Sequence, residues 1–228
     1  MPSITTTFLL LGVPAIAWAA GATVVMNAAS DLRAQDPLIL PAGARGRLVT
    51  YLAVTGTTVI FGLIPWLLVT GIESDFGPPA GSMALLIFWL AISFAWTAVV
   101  ATAAQVWVTQ TRLRSFVGLE FARVLPLVVI PNTLVIFGLV LCFLTLGRVS
   151  DPTSGWAPIT NDQAGPMITA LLVYAASTVG LLISTVLASW VKDLTQPRNF
   201  VRALSLTEGG VFPAILAIAW AFLQLSSV

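Results

Sequence analysis

The sequence predicts an all-α integral membrane protein: six transmembrane helices forming three tandem αα-hairpins, with both termini on the non-cytoplasmic side. Three observations carry this. Hydrophobic residues make up 58% of the chain and charged residues only 8%, against about 25% charged in a soluble domain. The ten basic and nine acidic residues are gathered into a few clusters separated by long uncharged stretches. A stretch of the first half recurs in the second.

The clusters set the spans. Asp31, Arg33, Asp36, Arg45 and Arg47 form the first, and Glu73 with Asp75 the second. Arg112, Arg114, Glu120 and Arg123 form the third, and Arg148, Asp151 and Asp162 the fourth. Lys192, Asp193, Arg198 and Arg202 form the fifth, and Glu208 stands apart. The stretches between them run over roughly 4–30, 48–72, 83–109, 124–147, 165–191 and 204–227. Each is long enough to cross a hydrocarbon core of about 30 Å as a helix, which needs about 20 residues. A helix satisfies its backbone polar groups within one segment, as lipid demands, and neighbouring helices tolerate the interior Pro14, Pro65, Pro126, Pro131 and Pro213 as kinks. The uncharged segment from Ile4 to Ser30 is longer than a signal-peptide core and lacks a basic leader, so it is expected to be a mature span.

Orientation follows from the basic residues. The first, third and fifth connections carry Arg33, Arg45 and Arg47; Arg112, Arg114 and Arg123; and Lys192, Arg198 and Arg202. The second connection carries none and the fourth only Arg148. The positive-inside rule places the odd connections in the cytoplasm.

The repeat lies in the returning helices. Thr58-Val59-Ile60-Phe61-Gly62-Leu63 recurs as Leu134-Val135-Ile136-Phe137-Gly138-Leu139, and at the same displacement Arg47 is matched by Arg123. Thr55-Gly56-Thr57 corresponds to Pro131-Asn132-Thr133. A fainter third copy starts at Pro213, at a slightly larger displacement from Pro131. Hairpin units over residues 1–75, 76–150 and 151–228 follow. A two-helix unit keeps its orientation in every copy, so the copies relate by rotation about the membrane normal, which suits a segment of a ring. The first helix of each unit is rich in small residues that let helices approach closely: Gly12, Ala15, Ala19 and Gly21; Ala91, Ser93, Ala95 and Ala98; Ala175, Ala176, Gly180 and Ser184.

Composition also excludes. There is no histidine, which removes His-ligated haem, His-based metal sites and Ser-His-Asp catalysis. No GxxxxGK[ST] loop occurs, and a net charge of +1 offers no basic footprint for nucleic acid. The single cysteine, Cys142, forms no internal disulfide and is expected to pack as a small apolar residue. An enzyme is not expected, nor a cofactor or metal.

The hairpin unit, the Pro131-to-Leu139 stretch and the polar loop Thr195-Gln196-Pro197-Arg198 together resemble the proteolipid (c or K) subunit of V-type and A-type rotary ATPases, in a triplicated-hairpin form. The resemblance implies a ring-forming subunit that carries protons or sodium on a carboxylate of the returning helix. It implies as partners membrane lipids, copies or homologues of the chain, and other subunits of a membrane complex. A multi-pass position in a bacterial or archaeal inner membrane is the expected location. The positions equivalent to that carboxylate are read here as Gly56, Asn132 and Ala214, which leaves Glu208 as the one candidate ion-binding residue, with Asn132 and Thr207 as hydrogen-bond partners. Carboxylates within a bilayer are costly and usually functional.

Glu208 has a second reading. Ser205-Leu206-Thr207-Glu208 fits a capping box, with a helix starting at Leu206 and Glu208 at the interface. Asn132 likewise fits a structural role, satisfying carbonyls freed by the Pro131 kink or bonding across a helix interface, and Gln105 fits a solvated cytoplasmic end. The alternatives to a ring subunit are a non-translocating structural or accessory subunit, and a small-substrate channel or transporter. Trp66, Trp156 and Trp190 are expected near the headgroups, and Trp18, Trp89 and Trp96 deeper, between helices or facing lipid.

Overall fold

A computed structural model describes residues 3–35, 43–117, 120–151 and 155–226; Asp36 of the first charge cluster lies outside them. Six helices are long and apolar enough to cross a membrane: Ile4–Gln35, Ala44–Phe76, Gly81–Thr111, Phe121–Val149, Asn161–Ser189 and Pro197–Gln224. They are called the first to sixth spans below. Large apolar side chains face outward along them, among them Ile60, Ile183, Phe222 and Leu223, each more than half exposed. Such a surface suits lipid, and the architecture is that of a multi-pass integral membrane protein.

Each helix outruns its uncharged stretch at one end or both. A charge marks where the hydrocarbon ends, whereas a helix persists until its backbone is capped or broken. The second span runs to Phe76 and is closed by Gly77, whose φ of +85° a side chain would resist. The fifth starts at Asn161, where Thr160 and Gln163 form a reciprocal capping box. The sixth starts at Pro197, whose missing N–H costs nothing at the first helical position.

The spans lie in two rows. The first, third and fifth pack in sequence, the second, fourth and sixth pack in sequence, and each hairpin joins the rows. The third span is the most enclosed, with 61% of its apolar window buried against 22% in the first and 33% in the sixth. The middle hairpin is therefore sandwiched, and the flanking hairpins are open along one side. Where residues 150–156 are described, the fourth connection holds a small antiparallel pair, Ser150–Asp151 against Gly155–Trp156.

Close approaches follow the small residues, though not at every one. A Cβ on Gly21 would meet Val106 at 2.7 Å, so the first and third spans touch there. Ala91, Ser93, Ala95 and Ala98 are all buried in the third span, whereas Ala19 and Ala176 are exposed. The first span carries a π-type turn over Phe8–Gly12, just ahead of Pro14. Proline has no N–H for the carbonyl four residues back, and that carbonyl, on Leu10, lies against Gly62, where an added Cβ would sit 2.2 Å from the oxygen.

The prolines act unequally. Pro65 sits inside an unbroken helix. The fourth span breaks at Ile130 and Pro131, and the sixth at Gly210 and Val211, just before Pro213. At the latter break a Cβ on Gly210 would collide with Ser184 and the Leu181 backbone, so the fifth and sixth spans meet closely there.

Candidate functional site

Asn132 opens the helix that follows the break in the fourth span, and it is 8% exposed. Its Nδ2 donates to the Val54 carbonyl at 2.8 Å and to Thr57 Oγ1 at 2.9 Å. Its Oδ1 accepts from Gln105 Nε2 at 2.7 Å. Thr57 in turn donates to the same Val54 carbonyl at 2.6 Å. The network ties the second, third and fourth spans together within their apolar packing. The other oxygen-bearing atoms nearby are less well served: Gln105 Oε1, Thr102 Oγ1 and Tyr51 OH are buried without a hydrogen-bond partner.

Thr207 is fully buried and donates to Ala203 O at 3.0 Å within its own helix. Glu208, the next residue, is exposed and faces away from the bundle. In the single chain neither Thr207 nor Asn132 hydrogen-bonds Glu208; both have the partners just named. The capping-box reading of Glu208 is corrected by the structure. Because Pro197 starts the helix with Gln196 as N-cap, Ser205 and Glu208 lie inside Pro197–Gly209 rather than at its head. Glu208 is thus about six residues, or roughly 9 Å of helix rise, beyond Arg202 along the span.

The buried faces of the even spans keep a common register. Thr55, Thr58, Gly62, Pro65 and Val69 are buried in the second span. So, at one constant displacement along the chain, are Pro131, Leu134, Gly138, Leu141 and Thr145 of the fourth. The same displacement applied again gives Thr207, Gly210, Ala214, Ala217 and Ala221 of the sixth, and these too are buried. The residues directly after the first member of each set are Gly56, Asn132 and Glu208. The helix breaks do not share this register, since the break at Gly210 falls further along its span than the break at Ile130.

Equivalent bonds join neighbouring hairpins at the basic end. Arg47 Nη1 donates to the Val117 carbonyl at 2.6 Å, and Arg123 Nη1 to the Leu194 carbonyl at 2.9 Å. Arg112 donates to the carbonyls of Ser189 and Val191 at the end of the fifth span, where a cation complements the helix dipole. At the other end, Trp156 Nε1 donates to Gly77 O at 2.9 Å and Trp66 Nε1 to Thr7 Oγ1 at 3.2 Å. Trp190 is exposed, as suits the headgroup region. Trp18 bonds Leu52 O at 3.2 Å and Trp96 bonds Ala175 O at 3.0 Å, tying each to a neighbouring helix, with Trp96 also facing outward.

The Thr195-to-Arg198 loop is ordered by Asp193, which adopts φ +52°. Its Oδ1 accepts from the Thr195 hydroxyl and amide, and its Oδ2 from Gln196 Nε2 at 2.8 Å. Asn199 Nδ2 closes the loop onto Lys192 O and Asp193 O. The Thr195 hydroxyl, with Gln196 and the Thr195 amide, holds the exposed Asp193 carboxyl below the usual carboxylate range.

Sequence reasoning missed two features. Glu73, read only as part of a charge cluster, is 5% exposed with Oε2 unpartnered; its position at a span end gave no hint of burial. The capping box at Thr160 was legible as T-x-x-Q. Cys142 is buried, as a packing residue is. Among the described residues no cluster of three or more metal-ligating side chains occurs. Comparison with protein families, curated proteins and solved structures gives no match to this chain.

Proposed function

We propose that this chain is a proteolipid-like subunit of a rotary ATPase membrane ring, with Glu208 as its one ion-carrying carboxylate. The observation that carries this is the shared register of the buried faces. At that register Glu208, rather than Ala214, falls at the position of Asn132 and Gly56, which supports reading the third hairpin as holding a carboxylate where the first two hold Gly and Asn. Exposure suits the role: an ion carrier must meet a partner subunit as it passes, and a carboxylate on a lipid-facing surface without a role is costly.

Further support comes from the architecture. Two rows of three, with the flanking hairpins open along one side, are what three adjacent units of a ring require. The bonds of Arg47 and Arg123 to the next hairpin come from donors that are themselves matched positions of the repeat. That suits tandem units over residues 1–75, 76–150 and 151–228 related by rotation. The basic connections give both termini a non-cytoplasmic position, in a bacterial or archaeal inner membrane. The chain itself would not be an enzyme.

In this reading Asn132 is a neutral stand-in for a protonated acid. It donates where a protonated carboxyl would donate, locks the second hairpin to the first, and carries no ion. The same locking favours a second reading, in which the whole chain is a non-translocating scaffold of a membrane complex.

ATP-driven acidification of inverted membrane vesicles separates the two. Glu208→Gln is expected to abolish pumping while leaving assembly intact, and Glu208→Asp to retain part of it. Undiminished pumping by the Gln variant would overturn translocation by Glu208 and leave the scaffold.

A further inference from the structure

We propose that the groove between the end of the fifth span and the start of the sixth binds the phosphate-bearing headgroup of an anionic lipid. A cavity of about 430 Å³ opens there, with Lys192 and Arg202 on its walls and Asn199 between them. Both cations are exposed. Neither has an acidic partner among the described residues, because the adjacent carboxylate, Asp193, is engaged by Thr195 and Gln196. Asn199 is engaged too, holding the loop to Lys192 O at 3.0 Å. Two cations without an acidic partner are thus presented, Lys192 by a loop held in a fixed shape and Arg202 by the first turns of the sixth span.

The rest of the groove selects a lipid over a soluble anion. Leu187 and Leu206 line it from within the fifth and sixth spans, with Val191 just past the end of the fifth, so a ligand seated on the cations has its apolar portion continued into the bilayer. Trp190, 68% exposed, stands at the same level, as an indole does among headgroups. Basic pockets between helices on the cytoplasmic side are suited to anionic headgroups. A free phosphate would use the cations alone and leave the apolar wall unsatisfied. An acidic peptide would have no use for a wall that faces acyl chains.

Lipid binding in this groove requires only that the chain spans a membrane, and stands or falls separately from ion transport by Glu208. Native mass spectrometry of the purified protein, exchanged into mixed phosphatidylglycerol and phosphatidylcholine micelles, reads it directly. Preferential retention of phosphatidylglycerol is expected, reduced about tenfold or more in the Lys192→Gln/Arg202→Gln variant. The charge-keeping Lys192→Arg/Arg202→Lys variant should retain it, as should Arg114→Gln, which removes an exposed cation elsewhere at the basic end. Equal retention of phosphatidylcholine, or unchanged retention in the double Gln variant, would overturn the proposal. So would displacement of the lipid by inorganic phosphate or by an oligoglutamate peptide.

Discussion

Gln105 Nε2 lies 2.7 Å from Asn132 Oδ1, one buried amide donating to another across the third and fourth spans. Asn132 passes the interaction on to Val54 and Thr57 of the second span. Three helices that otherwise meet through apolar packing are thus fixed in relative height. Replacing Asn132 by Ala is expected to cost about 1–2 kcal/mol, and a double-mutant cycle with Gln105→Ala to return a coupling of roughly 0.6–1.7 kcal/mol. Equilibrium unfolding in mixed micelles measures both.

A carboxyl at the same position tests the acid-mimic reading. In Asn132→Asp the protonated acid can donate toward Val54 O or Thr57, while the ionised acid presents oxygen to oxygen. Stability is therefore expected to be higher in acid, where the side chain can donate, and to fall as pH rises. Thermal melts across pH check the direction, with wild type flat by comparison over that step.

Gly62 and Leu10 make a sharper steric prediction. An added methyl would sit 2.2 Å from a backbone oxygen that no rotamer change can move. Gly62→Ala should separate the first and second spans and destabilise by about 1–3 kcal/mol, the usual cost of overpacking. Gly71, in the same helix with nothing within 4 Å of an added Cβ, is the control. Gly71→Ala should leave the melting temperature unchanged or raise it.

Asp193 gives a pH dependence of opposite sign to the engineered acid. Its carboxyl is held low by Thr195 and Gln196, so its ordering of the loop is complete above the ordinary carboxylate range. That ordering is lost as pH falls through the lowered value. Hydrogen exchange at the Thr195 amide, corrected for intrinsic pH dependence, should show protection declining on acidification. In Asp193→Ala protection should be low at every pH.

The six spans were legible because lipid leaves a chain no other way to satisfy its backbone. Their ends were not, since a charge-free stretch reports the hydrocarbon and not the helix. Pro197 begins the sixth helix well before the uncharged stretch, and that turned the local Ser205-to-Glu208 capping pattern into a coincidence inside a helix. The polar role of Asn132 was readable, but its partners were not. Which helix faces Asn132 depends on packing that the sequence of one span does not contain. Glu208 stood out as an isolated charge, yet its match in register to Asn132 came only from the buried faces. Matching Pro131 to Pro213 aligns the hairpins differently from the buried positions, which match Pro131 to Thr207.

The central claim is that Glu208 is a carboxyl that takes up and releases an ion at a protein interface. Dicyclohexylcarbodiimide modifies protonated carboxyls shielded from water, so the measurement is labelling of the detergent-purified assembly across pH, followed by mass mapping that separates Glu208 from the buried Glu73. Selective modification at Glu208 that falls as pH rises or as sodium is added is the expected result. An unmodified Glu208 that reacts freely with a water-soluble carbodiimide would contradict it.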